Sequence, residues 1–318
     1  MILRDLIELV RAPAALSVPG DAVAGAAAAD CLDGRTAGIA AASVCLYWAG
    51  MAANDWSDRE LDAVERPERP IPSGRISPGQ ALAVAGGLTA AGLAIAGAAG
   101  GRRTLATAGL LVGAIWTYDV KLKNSPAGPA GMAVCRGLDV LLGASTGSMR
   151  RALRPAAVVA AHTYAVTALS RREVSGADRA LPLGTLAATA VVATAAARRP
   201  PNNTNSSRVA AIEGGPGGRA TTATTVTGGW SGAVRDAASG LVGLVLAGLY
   251  AQKFGRAQRA VLRDPAAGNV RAAVGAGIMS LPSLQGALAA QHGSPVAGAA
   301  VAVMAPLGRR LVKAVSPT

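Results

Sequence analysis

Asn54-Asp55-Trp56-Ser57-Asp58-Arg59-Glu60-Leu61-Asp62 lies between two long apolar runs, at roughly 36–53 and 79–99. It decides the reading of the chain, because an amide and three carboxylates recur at helical spacing inside an otherwise apolar protein. Asp55, Asp58 and Asp62 stand at i, i+3 and i+7, and Asn54 and Asp58 at i, i+4, so a helix would project all four from one side. One face could then hold a divalent cation. Carboxylate and amide oxygens are hard donors suited to Mg²⁺, which keeps part of its water and is usually bound through a few carboxylates together with substrate phosphates. No His or Cys spacing offers a competing transition-metal site. The alternative is a solvated acidic loop neutralised by its own arginines.

Outward from this stretch, the apolar runs set the fold class. With 318 residues, 51% of them hydrophobic and only 15% charged, the composition is that of an integral membrane protein. Runs fall at roughly 13–34, 36–53, 79–99, 104–118, 127–148, 155–169, 180–197, 236–252, 270–290 and 293–308. Most approach the roughly 17–25 residues that cross a bilayer as a helix. About nine spans fit, with 270–308 as one helix plus a tail or a tenth segment. Lipid offers no partner to a bare backbone amide, and no run alternates like a barrel strand, so the spans are helices. The expectation is therefore an all-α membrane protein forming a single domain over 1–318. Its 40 glycines and abundant alanines let helix backbones approach closely. From about 198 to 235 the composition shifts to Asn, Thr, Ser and Gly, which reads as a flexible low-complexity loop without chemistry.

The formal charge of +13 has a simple source in arginines beside anionic lipid. No separate basic soluble domain exists, so nucleic-acid binding is excluded and membrane lipid is the expected surrounding. Met1 to Ala12 carries Arg4, Asp5, Glu8 and Arg11 in an amphipathic pattern, which reads as a short interfacial helix rather than a cleavable signal. Cys31, Cys45 and Cys135 lie in apolar runs without C-x-x-C spacing, and packing is their expected role.

After the acidic stretch comes Glu65-Arg66-Pro67-Glu68-Arg69-Pro70-Ile71-Pro72-Ser73-Gly74-Arg75-Ile76-Ser77. Together the two segments resemble the UbiA superfamily of intramembrane prenyltransferases, in which N-D-x-x-D-x-x-x-D precedes an Arg-Pro-rich run ending in P-S-G-[KR]-[IVL]-S. A narrower resemblance, to a bacterial EboC-like branch, rests on Arg11-Ala12-Pro13, Tyr118-Asp119-Val120-Lys121-Leu122-Lys123-Asn124 and Leu169-Ser170-Arg171-Arg172-Glu173-Val174. The resemblance implies a helical bundle around a central cavity, Mg²⁺ as cofactor and a polyprenyl diphosphate as one substrate. The other would be an acceptor, aromatic or another small lipophilic molecule. It also implies a bacterial-type cell (inner) membrane with the motif loops in the cytoplasm, since basic residues divide almost evenly between the two sides.

A diphosphate needs cationic side chains as well as metal. Arg66, Arg69 and Arg75 could supply them, or could tie the loop to its acidic neighbours. The resemblance adds Tyr118, Lys121 and Lys123, at the end of the fourth span, as groups near the substrate; snorkelling to the interface is the competing role for the lysines. It also places a second acidic motif, D-x-x-x-D, after the sixth span. There this chain offers only Glu173 and Asp178 as metal-binding carboxylates, with Arg171 and Arg172 where further acids would stand, so that either one Mg²⁺ together with Arg171 and Arg172 neutralises the bound diphosphate or ionisation is impaired. Inside the bundle, Arg136 and Asp139 at i, i+3 read as a structural ion pair. His162 reads as a satisfied core histidine or an acceptor-side base. Tyr118 or Tyr164, if facing the cavity, could stabilise an allylic cation with its ring.

The sequence thus points to Mg²⁺ on Asn54, Asp55, Asp58 and Asp62, with Asp55 and Asp58 central to ionising the diphosphate, and to prenyl transfer to the acceptor. Alternatives are a UbiA-type terpene cyclase and a non-catalytic isoprenoid or metabolite carrier.

Overall fold

The computed structural model describes residues 3–199 and 229–304, and every element among them is helical. In chain order these are α1 (Leu3–Leu9), a 3₁₀ turn (Ala12–Ser17), α2 (Pro19–Ala28), α3 (Gly34–Ser57), α4 (Arg59–Glu65) and α5 (Pro78–Thr117). A π turn (Tyr118–Leu122) follows, then α6 (Gly128–Gly143), α7 (Met149–Ser170), α8 (Ala180–Ala197), α9 (Gly229–Arg263) and α10 (Ala267–Gln291). A last helix, α11, covers Pro295–Met304. Most of the expected loop at about 198–235 lies outside the described residues, and its final part belongs to α9.

Among the described residues, five helices are long and apolar enough to cross a membrane: α3, α5 with its π turn, α8, α9 and α10. The protein is an integral membrane protein. The other runs expected among about nine spans form helices that are shorter or carry more charge. The run at 13–34 is split by Pro13 and Pro19 into the 3₁₀ turn and a 10-residue helix. Helix α6 has 16 residues and carries Arg136 and Asp139, and α7 has Arg150, Arg151 and Arg154 in its first turns.

At 40 residues α5 would run about 60 Å if straight, twice the hydrocarbon thickness. It does not run straight, because Gly101 has φ 74° and ψ −161°, a conformation open only to glycine. The chain reverses there, and Trp116 Nε1 on the returning arm comes within 3.4 Å of Thr89 Oγ1 on the outgoing one. The two arms correspond to the runs expected at 79–99 and 104–118.

Three apolar clusters hold the bundle. One joins α6 to α10 through residues such as Val140, Val159, Leu169, Phe254 and Leu284. A second joins α3, α5 and α6 through Ile39, Leu46, Leu111 and Leu142. The third sits beneath the acidic motif and its Pro-rich sequel, where Leu9, Ala52, Ile71, Ile76 and Ala81 pack with Trp56 and Trp116. Helix α2 threads the middle at backbone distance: a Cβ on Gly25 would lie 1.9 Å from the Val140 carbonyl oxygen, and one on Gly143 2.2 Å from that of Ala22.

The interior polar groups pair differently from the sequence expectation. Arg136 turns to Asp21 on α2, with Nε 2.8 Å from Oδ2, rather than closing on Asp139 alone. Gln285 Nε2 donates to Asp21 Oδ1 at 2.6 Å and to the Ser17 carbonyl at 2.9 Å, while Asp139 accepts from the Ser43 hydroxyl. A neighbouring helix supplies the nearer charge, and that decides the pairing. His162 is buried with Nδ1 3.0 Å from the Tyr250 hydroxyl and its ring edge-on to Tyr250 and Phe254, a satisfied core histidine.

Candidate functional site

The acidic stretch forms the end of α3 and the start of α4, joined at Asp58, whose φ and ψ of −90° and 2° break the helix. Backbone bonds from Asp58 to Asn54 and from Asp62 to Asp58 carry the i, i+4 pattern across the break. Helical spacing therefore survives, but the four side chains divide between two directions instead of sharing one. Asp55 and Asp62, seven apart, meet over the Pro-rich loop. Asn54 and Asp58, four apart, meet the π turn.

On the loop side, Arg69 Nη1 lies 3.2 Å from Asp55 Oδ1 and 2.7 Å from Asp62 Oδ2. Arg11 Nη2 reaches the same Asp55 oxygen at 2.8 Å, and Arg66 approaches Asp62 at 3.8 Å. Asp55 and Asp62 are both buried. Tight turns hold Arg69 in place: Ser73 Oγ donates to the Arg69 carbonyl at 2.6 Å, and Gly74 turns the chain with φ 75°. Ile71 and Ile76 anchor the loop in the apolar cluster below. Arg75 points elsewhere. It grips Glu8 through both guanidinium nitrogens, at 2.8 and 3.0 Å, and Asp5 at 3.0 Å, which keeps its proton more tightly held than usual and clamps α1 to the loop.

On the π-turn side, Lys123 Nζ is 2.8 Å from Asp58 Oδ1 and donates to the Asn54 carbonyl at 3.2 Å. Asn54 Nδ2 donates to Asp119 Oδ1 at 3.2 Å, and Ser57 Oγ to the Asp119 carbonyl at 3.0 Å. The bond from Lys123 N to the Tyr118 carbonyl, 2.9 Å, is the i to i−5 bond of a π turn; such turns recur at functional sites because the wider coil re-aims side chains. Here it presents Asp119 and Lys123 to the same stretch of α3. Asp119 also lines a largely apolar cavity of about 70 Å³, together with Tyr118, Ser43, Arg136, Asp139, Leu46, Met51 and Ile115.

The other sequence candidates divide: Arg171 and Glu173 lie within electrostatic reach of Tyr118 and Arg66, respectively, while Lys121, Tyr164 and Asp178 are placed otherwise. Lys121 is exposed and forms no ion pair among the described residues. Tyr164 is half exposed on α7 and does not line the cavity, so its expected role beside an allylic cation has no support in its placement. Arg171 donates to the Ser125 carbonyl, two residues beyond Lys123. Asp178 Oδ1 accepts from Leu181 N at 3.1 Å and so caps the start of α8. Burial raises the Glu173 carboxyl, against the pull of Arg271 and Arg66. Asp119 and Arg11 are the residues that the sequence reading passed over as site residues. Both stand in segments that carry the narrower resemblance, Arg11-Ala12-Pro13 and Tyr118 to Asn124, and that was the available signal.

The donor set suits a hard cation, and Arg69 Nη1 occupies a point between two carboxylates where one would be held. No three acidic, His or Cys side chains converge on one point among the described residues. The motif therefore offers a carboxylate pair plus Asp58 and Asn54 nearby, a partial shell of the kind that leaves Mg²⁺ most of its water.

Comparison with known proteins bears on this geometry. Residues 17–199 match the UbiA prenyltransferase family. A digeranylgeranylglyceryl phosphate synthase from Methanopyrus kandleri is 38% identical over 180 residues, 54% of this chain and 62% of that protein. One from Halobacterium salinarum is 36% identical over 193 residues, 58% and 68%. The bacteriochlorophyll synthase 33 kDa chain of Rhodobacter capsulatus is 40% identical over 91 residues, 28% and 30%. The match thus spans less than two thirds of the Methanopyrus kandleri protein. Among solved structures, one described as digeranylgeranylglyceryl phosphate synthase in membranes overlays with TM-score 0.60 and 14% identity, covering 91% of this chain and 98% of that one. A UbiA homologue from Aeropyrum pernix overlays with TM-score 0.56 and 19% identity, covering 94% and 97%. The family match takes in more than half of the chain, including the whole acidic stretch and the π turn, and the protein belongs to the UbiA prenyltransferase family.

Proposed function

We propose that the protein is an intramembrane prenyltransferase that ionises a polyprenyl diphosphate and passes the prenyl group to an acceptor. The observation that carries this reading is the set of cations around Asp55, Asp58 and Asp62, beside Asn54, whose partner Asp119 lines the cavity. Asp55 and Asp62, with Asp58 and Asn54 beside them, would hold Mg²⁺, whose charge polarises the diphosphate and stabilises it as a leaving group. Arg66, Arg69, Arg11 and Lys123 are within reach of the same oxygens and would bind the phosphates. The bond between the allylic carbon and the diphosphate oxygen breaks, its electron pair leaving with diphosphate. A nucleophilic atom of the acceptor then bonds to the carbon and gives up a proton.

Tyr118 presents its ring to the cavity and would lower the energy of the allylic cation there. The apolar wall of Leu46, Met51 and Ile115 would keep water from trapping that cation. The acceptor belongs to the aromatic or other small lipophilic class. The acidic end faces the cytoplasm of a bacterial-type cell membrane in this reading.

The test is diphosphate release by the purified protein in lipid, with Mg²⁺ and a panel of allylic prenyl diphosphates. Asp55→Ala and Asp58→Ala are each expected to lower release at least 100-fold, in keeping with loss of metal-assisted charge stabilisation. Undiminished release in both variants would sink the proposal. A carrier function is favoured by one observation only, the diversion of Asp178 to capping α8; binding of intact diphosphate without turnover would select it.

A further inference from the structure

The carboxylates of the first motif are already matched by cations before any ligand arrives, four cationic side chains against three carboxylates. Its three carboxylates face Arg11 and Arg69 at Asp55, Lys123 at Asp58, and Arg69 with Arg66 at Asp62. The pairing is not a loose surface arrangement: the side chains of Asp55, Asp62 and Lys123 are 5%, 3% and 8% exposed. The cations also come from three separate elements, the turn after α1, the Pro-rich loop and the end of the α5 hairpin. Arg11 is held there at a positive φ of 47°, a left-handed conformation uncommon outside glycine, which the surrounding contacts must sustain.

We infer that a divalent cation and a diphosphate enter this site as a mutually dependent pair, because Arg69 and Arg11 occupy the carboxylates that a metal alone would need. This deepens the reading of the site as a metal–diphosphate centre and rests on it. A lone divalent ion would add two positive charges to a cluster that already holds one more cation than carboxylates, two of those carboxylates being buried, and would have to evict guanidinium groups with no anion to receive them. A lone diphosphate would find its cations already bound to carboxylates. Together each removes the other's obstacle. The metal takes the oxygens of Asp55 and Asp62, and the displaced Arg69 and Arg11 turn to the phosphate oxygens, for which the forked guanidinium is well shaped. By linkage, the factor by which diphosphate tightens metal binding equals the factor by which metal tightens diphosphate binding.

The test uses the full chain in lipid nanodiscs. Mn²⁺ uptake is followed by loss of the free-ion electron paramagnetic resonance signal, and retention of labelled pyrophosphate by equilibrium dialysis with and without Mn²⁺. The native protein is expected to take up Mn²⁺ alone weakly, and Mn²⁺ is expected to raise pyrophosphate affinity at least tenfold. Arg69→Gln should bind Mn²⁺ alone at least tenfold more tightly than the native chain. Arg11→Gln, from a different element, should move in the same direction and guards against a folding defect in either variant. Arg35→Gln removes one charge at the other end of α3, where Arg35 pairs with Asp33, and should leave Mn²⁺ uptake unchanged. Native protein that binds Mn²⁺ alone as tightly as Arg69→Gln and Arg11→Gln do would overturn the inference while leaving the metal–diphosphate reading intact. No Mn²⁺ uptake under any condition would remove that reading and this inference with it.

Discussion

Asp178 and Arg75 show how much a side chain's role depends on what lies next to it. Each sits in a segment rich in charge, yet Asp178 caps a helix and Arg75 clamps one. Asp178→Ala is expected to cost about 1 kcal/mol of stability through the lost cap and to leave Mn²⁺ uptake with pyrophosphate unchanged. A collapse of uptake in that variant would make it a metal ligand after all. Arg75→Ala should free α1 from the loop at a cost of about 1 kcal/mol. The measurement is limited proteolysis, expected to cut within the first dozen residues faster than in the native chain. The spacing of Asn54, Asp55, Asp58 and Asp62 was legible in the sequence, as was their attraction for cations. Their division into two pairs was not, because it follows from the helix break at Asp58 and from the partners waiting on either side. Asp119 stood in a stretch already singled out. Only the π turn, a matter of one extra residue in a coil, turns it toward Asn54.

At the scale of elements, the α5 hairpin is the clearest case. Its two arms were readable as two apolar runs, and the reversal between them depends on the torsions of Gly101 alone. No atom lies within 4 Å of a Cβ built there, so the penalty of a side chain is purely conformational. Gly101→Ala should destabilise the fold by about 1–3 kcal/mol, whereas Gly109→Ala, in open space on the returning arm, should be neutral or slightly stabilising by thermal unfolding in detergent. Equal melting temperatures for the two variants would refute the account. The first apolar run owes its form to residues that hydropathy does not weigh. Hydropathy records that 13–34 is apolar, not that prolines cut it into a turn and a 10-residue helix enclosed by its neighbours. Helix α6, at 16 residues with Arg136 and Asp139 inside it, is shorter than the apolar run at 127–148 that contains it.

Across the whole molecule, one polar node ties the two halves of the bundle. Asp21 on α2 meets Arg136 on α6 and Gln285 on α10, and the same region holds Asp139 against Ser43 of α3. Arg136→Met is expected to lower stability by roughly 3–5 kcal/mol, since it strands a buried carboxylate. Adding Asp21→Asn should restore much of the loss; a double variant no more stable than the single one would show that the arginine acts through packing. That all-helical membrane character could be read from composition follows from the narrow choice lipid leaves to a backbone. The node could not be read, since its members are separated by more than 100 residues and only the tertiary fold brings them together.

Helix α10 carries a final consequence. It is 72% buried within the bundle, against 22% for α5 and α9, so its later turns touch protein on every side. Among the described residues it also comes after the other helices long and apolar enough to cross a membrane. In the order of synthesis the innermost of them is therefore delivered after the helices it packs between, which must first associate without it. Helix α10 can take its place against α2, α7, α8 and α9 only once all four are already in the bilayer.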